Sequence, residues 1–129
     1  MEVDDRFATN PELIGPGLRT FFRICDRWEL TNEQARALLG DPDQGKFDAW
    51  KHGQSDEASD EMLIRISHVL GIYKALHLIF PNSDQADGWI QRPSSAPMFE
   101  GKPALNLMLE SMQGLGAVHA YLRAHEQWA

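Results

Sequence analysis

Apolar residues in this chain recur at three- and four-residue steps almost from end to end. Leu18, Phe21, Phe22 and Cys25 form one such stripe, Ala35, Leu38 and Leu39 a second, and Phe47 and Trp50 a third. Met62, Leu63, Ile66, Val69 and Leu70 continue the pattern, as do Leu105, Met108, Leu109 and Met112, and then Leu115, Val118, Tyr121 and Leu122. This spacing places each set on one face of an α-helix, and no alternating run bounded by a hairpin turn competes with it. The expected fold class is all-α.

Punctuation divides the stripes into helices. A first helix is expected from Pro16 to about Trp28. Thr31 to Gln34 (TNEQ) fits a capping box, in which hydroxyl and amide side chains satisfy two orphan backbone amides. Gly40 closes that second helix, and Asp41, Pro42 and Asp43 form a turn that the proline keeps from continuing it. A short third helix around Phe47 and Trp50 ends at Gly53. Ser59 or Asp60 caps the next, Gly71 is expected to interrupt it, and a separate short helix covers Ile72 to Phe80. Ser83 or Asp84 is expected to cap a helix reaching Trp89 and Ile90. Arg92 to Lys102 (RPSSAPMFEGK) reads as an irregular connector anchored by Met98 and Phe99. Pro103 suits a first helical turn, and Gly114 and Gly116 are expected to break the chain before the last helix. The polar loop 54–59 is the best boundary, giving two packed helical layers, 1–60 and 61–129.

Charge is spread unevenly. The formal charge is −7, and in the first sixty residues thirteen acidic side chains face seven basic ones. An acidic surface opposes non-specific binding to nucleic acid. Yet the acids cluster at Glu2, Asp4 and Asp5, at Asp41 and Asp43, and at Asp56, Glu57 and Asp60, leaving Gln44 to Gln54 (QGKFDAWKHGQ) weakly basic. Residues 31–53 have the organisation of a helix-turn-helix with Ala35, Phe47 and Trp50 inward. Gln44, Lys46, Lys51 and His52 then fall on or near the exposed side of its second helix. Side-chain amides there can read adenine edges, lysines can meet guanine or phosphate, and Arg36 and Gln54 can hold flanking phosphates. The turn GDPDQ is one residue longer than the commonest spacing, and Asp41, Asp43 and Asp48 lie where a phosphate backbone would pass. Operator DNA is therefore a secondary expected partner.

Nothing organises catalysis. The five histidines, His52, His68, His77, His119 and His125, have no metal-site spacing with one another or with carboxylates, and Cys25 stands alone. No nucleophile elbow or phosphate-cradling glycine loop is present. The expectation is a binding protein, not an enzyme, with no cofactor and no metal. No run of eighteen consecutive apolar residues exists, so no membrane-spanning helix is expected, and the acidic start MEVDDRFATNPEL has no apolar h-region. A cytoplasmic location follows as an expectation.

Several segments together resemble a known family. They are ALLGDPDQGKFDAWKHG (37–53), MLIRISHVLGIYKALHLIFPN (62–82), GWIQRP (88–93), MFEGKPALNLML (98–109) and LGAVHAYLRAH (115–125). In order and spacing they resemble the antitoxins that join an Xre-like N-terminal domain to an MbcA/ParS/Xre toxin-binding C-terminal domain. The resemblance implies a homodimeric antitoxin that covers the active-site entrance of a cognate toxin, commonly one of the RES fold that consumes or transfers ADP-ribose from NAD. It also implies possible autoregulation of its own promoter. Carried to matching positions, the toxin-facing residues would be Trp89, Phe99 and Lys102 in the connector and Tyr121, Arg123 and Glu126 in the last helix. Trp128, near the C-terminus, is added as a candidate anchor because tryptophan is enriched at binding hot spots. Core packing is the competing reading of Trp89, Phe99 and Tyr121. The family's second recognition-region helix usually starts with Ser or Thr and carries more basic residues, a departure that bears on promoter binding more than on toxin binding. The alternative function is a stand-alone helix-turn-helix regulator whose C-terminal layer only dimerises.

Overall fold

A computed structural model describes residues 14–54 and 59–126. Among these residues the chain forms seven α-helices and no strands. They are α1 (Ile14–Arg27), α2 (Asn32–Leu38), α3 (Gln44–Lys51), α4 (Asp60–Ile79), α5 (Ser83–Gly88), α6 (Ala104–Glu110) and α7 (Met112–His125). The all-α class is therefore as expected. Two compact units divide between Leu70 and Gly71, inside α4.

In the first unit, local chemistry sets the helix ends. Thr31 Oγ1 accepts from the Gln34 amide at 3.1 Å, and Gln34 Oε1 accepts from the Thr31 amide at 3.0 Å, which completes the capping box. Such a cap contributes about 1 kcal/mol. Gly40 adopts φ +93° just past α2, a conformation that a β-carbon disfavours. The Asp43 carboxylate then caps α3, accepting from the Gly45 and Lys46 amides at 3.0 and 3.3 Å. Ser59, the first of the two expected caps, takes the Met62 amide at the start of α4. Helix α1 packs on α3, and Phe22 meets the Phe47 ring edge to face at 5.5 Å. The core is supplied by Leu18, Phe21, Ile24, Cys25 and Trp28 from α1 and its end, Leu38 and Leu39, Phe47 and Trp50, and Met62, Leu63 and Ile66. Phe22, expected in the buried stripe, is only half-buried, and Ile24 takes that place.

Helix α4 corrects two expectations. It does not stop at Gly71; it runs unbroken for twenty residues. Glycine inside a helix costs only about 1 kcal/mol relative to alanine, and here it has a packing reason. A β-carbon at Gly71 would lie 2.2 Å from His119 Nε2 and 2.4 Å from Cε1. The glycine seats an imidazole and does not break the helix. The same helix is also long and apolar enough to cross a membrane, which uninterrupted runs in the sequence do not reveal. Its stripe of Met62, Leu63, Ile66, Val69, Ile72, Ala75 and Leu76 is buried in the protein, as in the core helix of a globular fold.

In the second unit, Asn82, not Ser83 or Asp84, caps α5, because its side-chain oxygen reaches the Gln85 amide at 3.0 Å. A 3₁₀ turn, Trp89–Gln91, follows α5, and a second, Pro97–Phe99, lies in the connector. Glu100 and Gly101 then both take left-handed φ, at 52° and 79°. The Lys102 amide donates to the Phe99 carbonyl, the Ser94 amide donates to the Lys102 carbonyl, and Pro93 and Pro103 form an antiparallel bridge. The connector is thus a closed loop with its own backbone bonds.

The last break is not at Gly114 and Gly116, both of which lie within α7. It falls at Ser111, whose backbone is fully extended and whose Oγ accepts from the Gly114 amide. A β-carbon at Gly114 would sit 2.2 Å from the Leu107 carbonyl oxygen, so this glycine lets α7 start tightly against α6. Leu105, Met108, Leu115, Val118 and Leu122 are buried in this unit, with Ile90 and Phe99.

Candidate functional site

On the first unit, the turn at 39–43 links α2 to α3, with Ala35, Phe47 and Trp50 buried as expected. Several of the residues expected to face DNA are brought together. Arg36 Nη1 donates to Gln44 Oε1 at 2.8 Å, and Gln44 Nε2 donates to Asp48 Oδ1 at 3.0 Å. Lys51 Nζ donates to Asn32 Oδ1 at the start of α2, and His52 Nδ1 donates to the Asp48 carbonyl at 2.7 Å. Lys46 is exposed and lines a cleft of about 490 Å³ with Leu39, Pro42, Trp50 and Met62. Gln54 is exposed beyond the end of α3, its amide bonded to the Ala49 carbonyl. Of the three acids that would oppose phosphate, Asp43 is occupied as a helix cap and Asp48 as the partner of Gln44.

The second unit gathers a group of aromatic rings. Trp89 stacks on Tyr121 with centroids 6.3 Å apart and planes 20° from parallel. Phe99 meets both rings edge to face, at 5.9 Å from Trp89 and 5.2 Å from Tyr121. His125 lies over Tyr121 at 4.3 Å, and its Nδ1 donates to the Tyr121 carbonyl. Trp89 is placed by the 3₁₀ turn after α5, Phe99 by the closed connector, and Tyr121 and His125 by consecutive turns of α7. Offset and edge-to-face pairs of this kind contribute about 0.5–1.5 kcal/mol each beyond burial.

Burial separates their roles. Phe99 is buried and braces the other two rings, in keeping with the core-packing reading of this residue. Trp89 and Tyr121 are half-buried and present one side each, while His125 is exposed. Lys102 and Arg123 are exposed, and Glu126 is half-buried at the end of α7. Trp128 lies outside the described residues. Sequence reasoning missed His125 as a member of this group. The signal was its four-residue spacing from Tyr121, which stacks side chains on one helix face.

A second pairing that sequence reasoning missed joins α4 to α5, where His77 Nε2 lies 2.7 Å from Asp87 Oδ1 and the His77 ring packs on Tyr73. Among the described residues no group of three or more His, Cys, Asp or Glu side chains comes together to hold a metal. Cys25, the one cysteine, is buried, and its thiol is pushed up to about 12, chiefly by desolvation and secondarily by Asp26, with Lys51 opposing.

Half-exposed aromatic faces braced by a buried ring, on a helical scaffold, are the makeup of a protein-binding module. Comparison with known proteins gives that module its class. The family described as the antitoxin Xre/MbcA/ParS C-terminal toxin-binding domain matches residues 75–127, the stretch that holds Trp89, Phe99, Tyr121 and His125. The uncharacterized protein y4oB of Sinorhizobium fredii (strain NBRC 101917 / NGR234) is 41% identical over 93 residues, covering 72% of this chain and 70% of that protein. No solved structure matches the chain. The second unit of the chain thus carries the toxin-binding domain of the Xre/MbcA/ParS antitoxin family, matched over residues 75–127.

Proposed function

We propose that this antitoxin neutralises its cognate toxin by laying the Trp89–Tyr121 face over the entrance of the toxin's active site. The observation that carries the reading is the aromatic group itself. Two half-exposed rings from separate elements, Trp89 and Tyr121, stack within the toxin-binding domain and are braced by the buried Phe99 of a third. Aromatic rings held rigidly by their neighbours lose little entropy on binding, which suits them as anchors. Lys102, Arg123 and Glu126 join the surface on the strength of the family resemblance, and His125, stacked on Tyr121, extends the platform. The resemblance to RES-type systems supports a toxin that consumes NAD or transfers its ADP-ribose. An acidic chain suits such a partner, whose active site must attract an anionic dinucleotide.

Homodimerisation and autoregulation belong to the same reading. The α2–α3 pair would face the promoter, with Arg36, Gln44, Lys46, Lys51, His52 and Gln54 as its contacts. The first of these roles is supported by the family resemblance alone, the second also by the capped two-helix geometry.

Co-expression with the toxin encoded beside this chain tests the proposal. The wild-type chain is expected to restore growth, and a Trp89→Ala, Tyr121→Ala double variant to restore it poorly while remaining folded. Point variants are required because Leu115, Val118 and Leu122 are core residues, and truncating α7 would remove the fold with the surface. Failure of the wild-type chain to rescue growth would overturn the reading in favour of a stand-alone regulator. Full rescue by the folded double variant would overturn the assigned surface.

A further inference from the structure

The α2–α3 face contains its own competitor for DNA. This inference rests on the proposed promoter-facing role of that pair of helices. A glutamine reads adenine in the major groove with two atoms at once, its Nε2 donating and its Oε1 accepting. In Gln44 both atoms are already engaged: Oε1 accepts from Arg36 Nη1 at 2.8 Å, and Nε2 donates to Asp48 Oδ1 at 3.0 Å. The chain therefore runs from a cation on α2, through the candidate reader, to a carboxylate one turn further along α3. Arg36, a candidate phosphate contact, is held by the same bonds. Lys51 is tied in parallel to Asn32.

We propose that Asp48 acts as a brake on DNA binding by this face, restraining Gln44 in the free protein and confronting the DNA with an unpaired carboxylate once Gln44 is withdrawn. The two contributions have one origin. When Gln44 turns to a base edge, Asp48 loses the amide it accepts from, and its charge then faces a polyanion. Asp43, by contrast, keeps its two backbone amides as the cap of α3 and needs no new partner. Asp41 is exposed in the preceding turn and serves as a charge control; its φ of 56° is one that asparagine tolerates.

The test is an anisotropy titration of the full chain against a duplex of its own upstream sequence and against a scrambled duplex, over a range of salt concentrations. Wild type, Asp48→Ala, Asp48→Asn and Asp41→Asn are compared after circular dichroism has verified their folds. Asp48→Ala is expected to bind the upstream duplex about tenfold more tightly than wild type, with a smaller gain on the scrambled duplex. Asp48→Asn, which removes the charge but keeps an acceptor for Gln44, is expected to gain less. Asp41→Asn is expected to gain least. Equal gains by Asp48→Ala and Asp41→Asn, or equal gains on both duplexes, would reduce the effect to bulk charge and overturn the brake. Wild-type binding with no gain in Asp48→Ala would overturn the brake and leave the promoter-facing role standing. Absence of binding by every variant at low salt would overturn both.

Discussion

Replacing Gly71 by alanine sets two opposing effects against each other, and the structure decides between them. On helix propensity alone, the change should stabilise α4 by about 1 kcal/mol, because Gly71 has ordinary helical geometry within an unbroken helix. The added methyl, however, would lie 2.2 Å from His119 Nε2, 2.4 Å from Cε1 and 3.1 Å from Cδ2. Ordinary carbon contacts are near 3.5 Å, so the ring must retreat by roughly 1 Å. His119 is only 8% exposed and lies on α7 between the buried Val118 and Leu122, so it has little room to swing away. Overpacking of this kind costs about 1–3 kcal/mol. An approach as close as 2.2 Å places the steric cost in the upper part of that range, so the steric effect wins and Gly71→Ala is expected to lose up to about 2 kcal/mol net. Urea denaturation followed by circular dichroism measures it, and a double-mutant cycle with His119→Ala identifies the cause. Truncating the ring gives the methyl a space, so the double variant should be less destabilised than the two single losses combined. A Gly71→Ala protein as stable as wild type, or additive losses in the cycle, would refute the assignment of Gly71 to this contact.

Two buried groups in the first unit, Ser67 and Cys25, give further outcomes. The Ser67 hydroxyl is buried without a hydrogen-bond partner among the described residues, so Ser67→Ala should leave stability unchanged or raise it by up to about 1 kcal/mol in the same denaturation assay. The Cys25 thiol is raised from 9.0 to about 12, mainly by burial, so the folded state holds its proton more tightly than the unfolded chain does. Its contribution is fully present below pH 9 and is lost as pH rises from 9 towards 12, because the unfolded thiol ionises first. Cys25→Ala should flatten that alkaline loss, and the native thiol should resist a disulfide reagent at pH 8 until denaturant is added.

The parts of this fold that were legible in the sequence are those governed by neighbours in the chain. Thr31 and Gln34 are three residues apart, and the capping box they predict forms because both partners and both amides lie in that interval. The inward positions of Phe47 and Trp50 follow from spacing on a single helix. The misread glycines are different in kind. Gly71 and Gly114 look like breaks because glycine weakens helices locally, but each is set by a residue far or moderately far along the chain, His119 in one case and the Leu107 carbonyl in the other. Ser111, where α6 in fact ends, carries no strong breaking signal of its own. The candidate surface divides the same way. Trp89, Phe99 and Tyr121 were named from a family resemblance, while their convergence depends on the closed connector between Pro93 and Pro103, which no periodicity encodes. The bond chain from Arg36 through Gln44 to Asp48 also crosses the turn between two helices, so spacing alone could mark these residues as exposed but not as mutually engaged.

The most direct test of the toxin-facing surface is calorimetric titration of the purified cognate toxin with the wild-type chain, Trp89→Ala, Tyr121→Ala and Lys46→Ala. If the aromatic platform anchors the complex, Trp89→Ala and Tyr121→Ala should each weaken binding by about thirtyfold or more, the loss that marks an interface hot spot, while Lys46→Ala binds as wild type does. Affinities within twofold of wild type for both folded aromatic variants would contradict the account and move the toxin contact elsewhere on the chain.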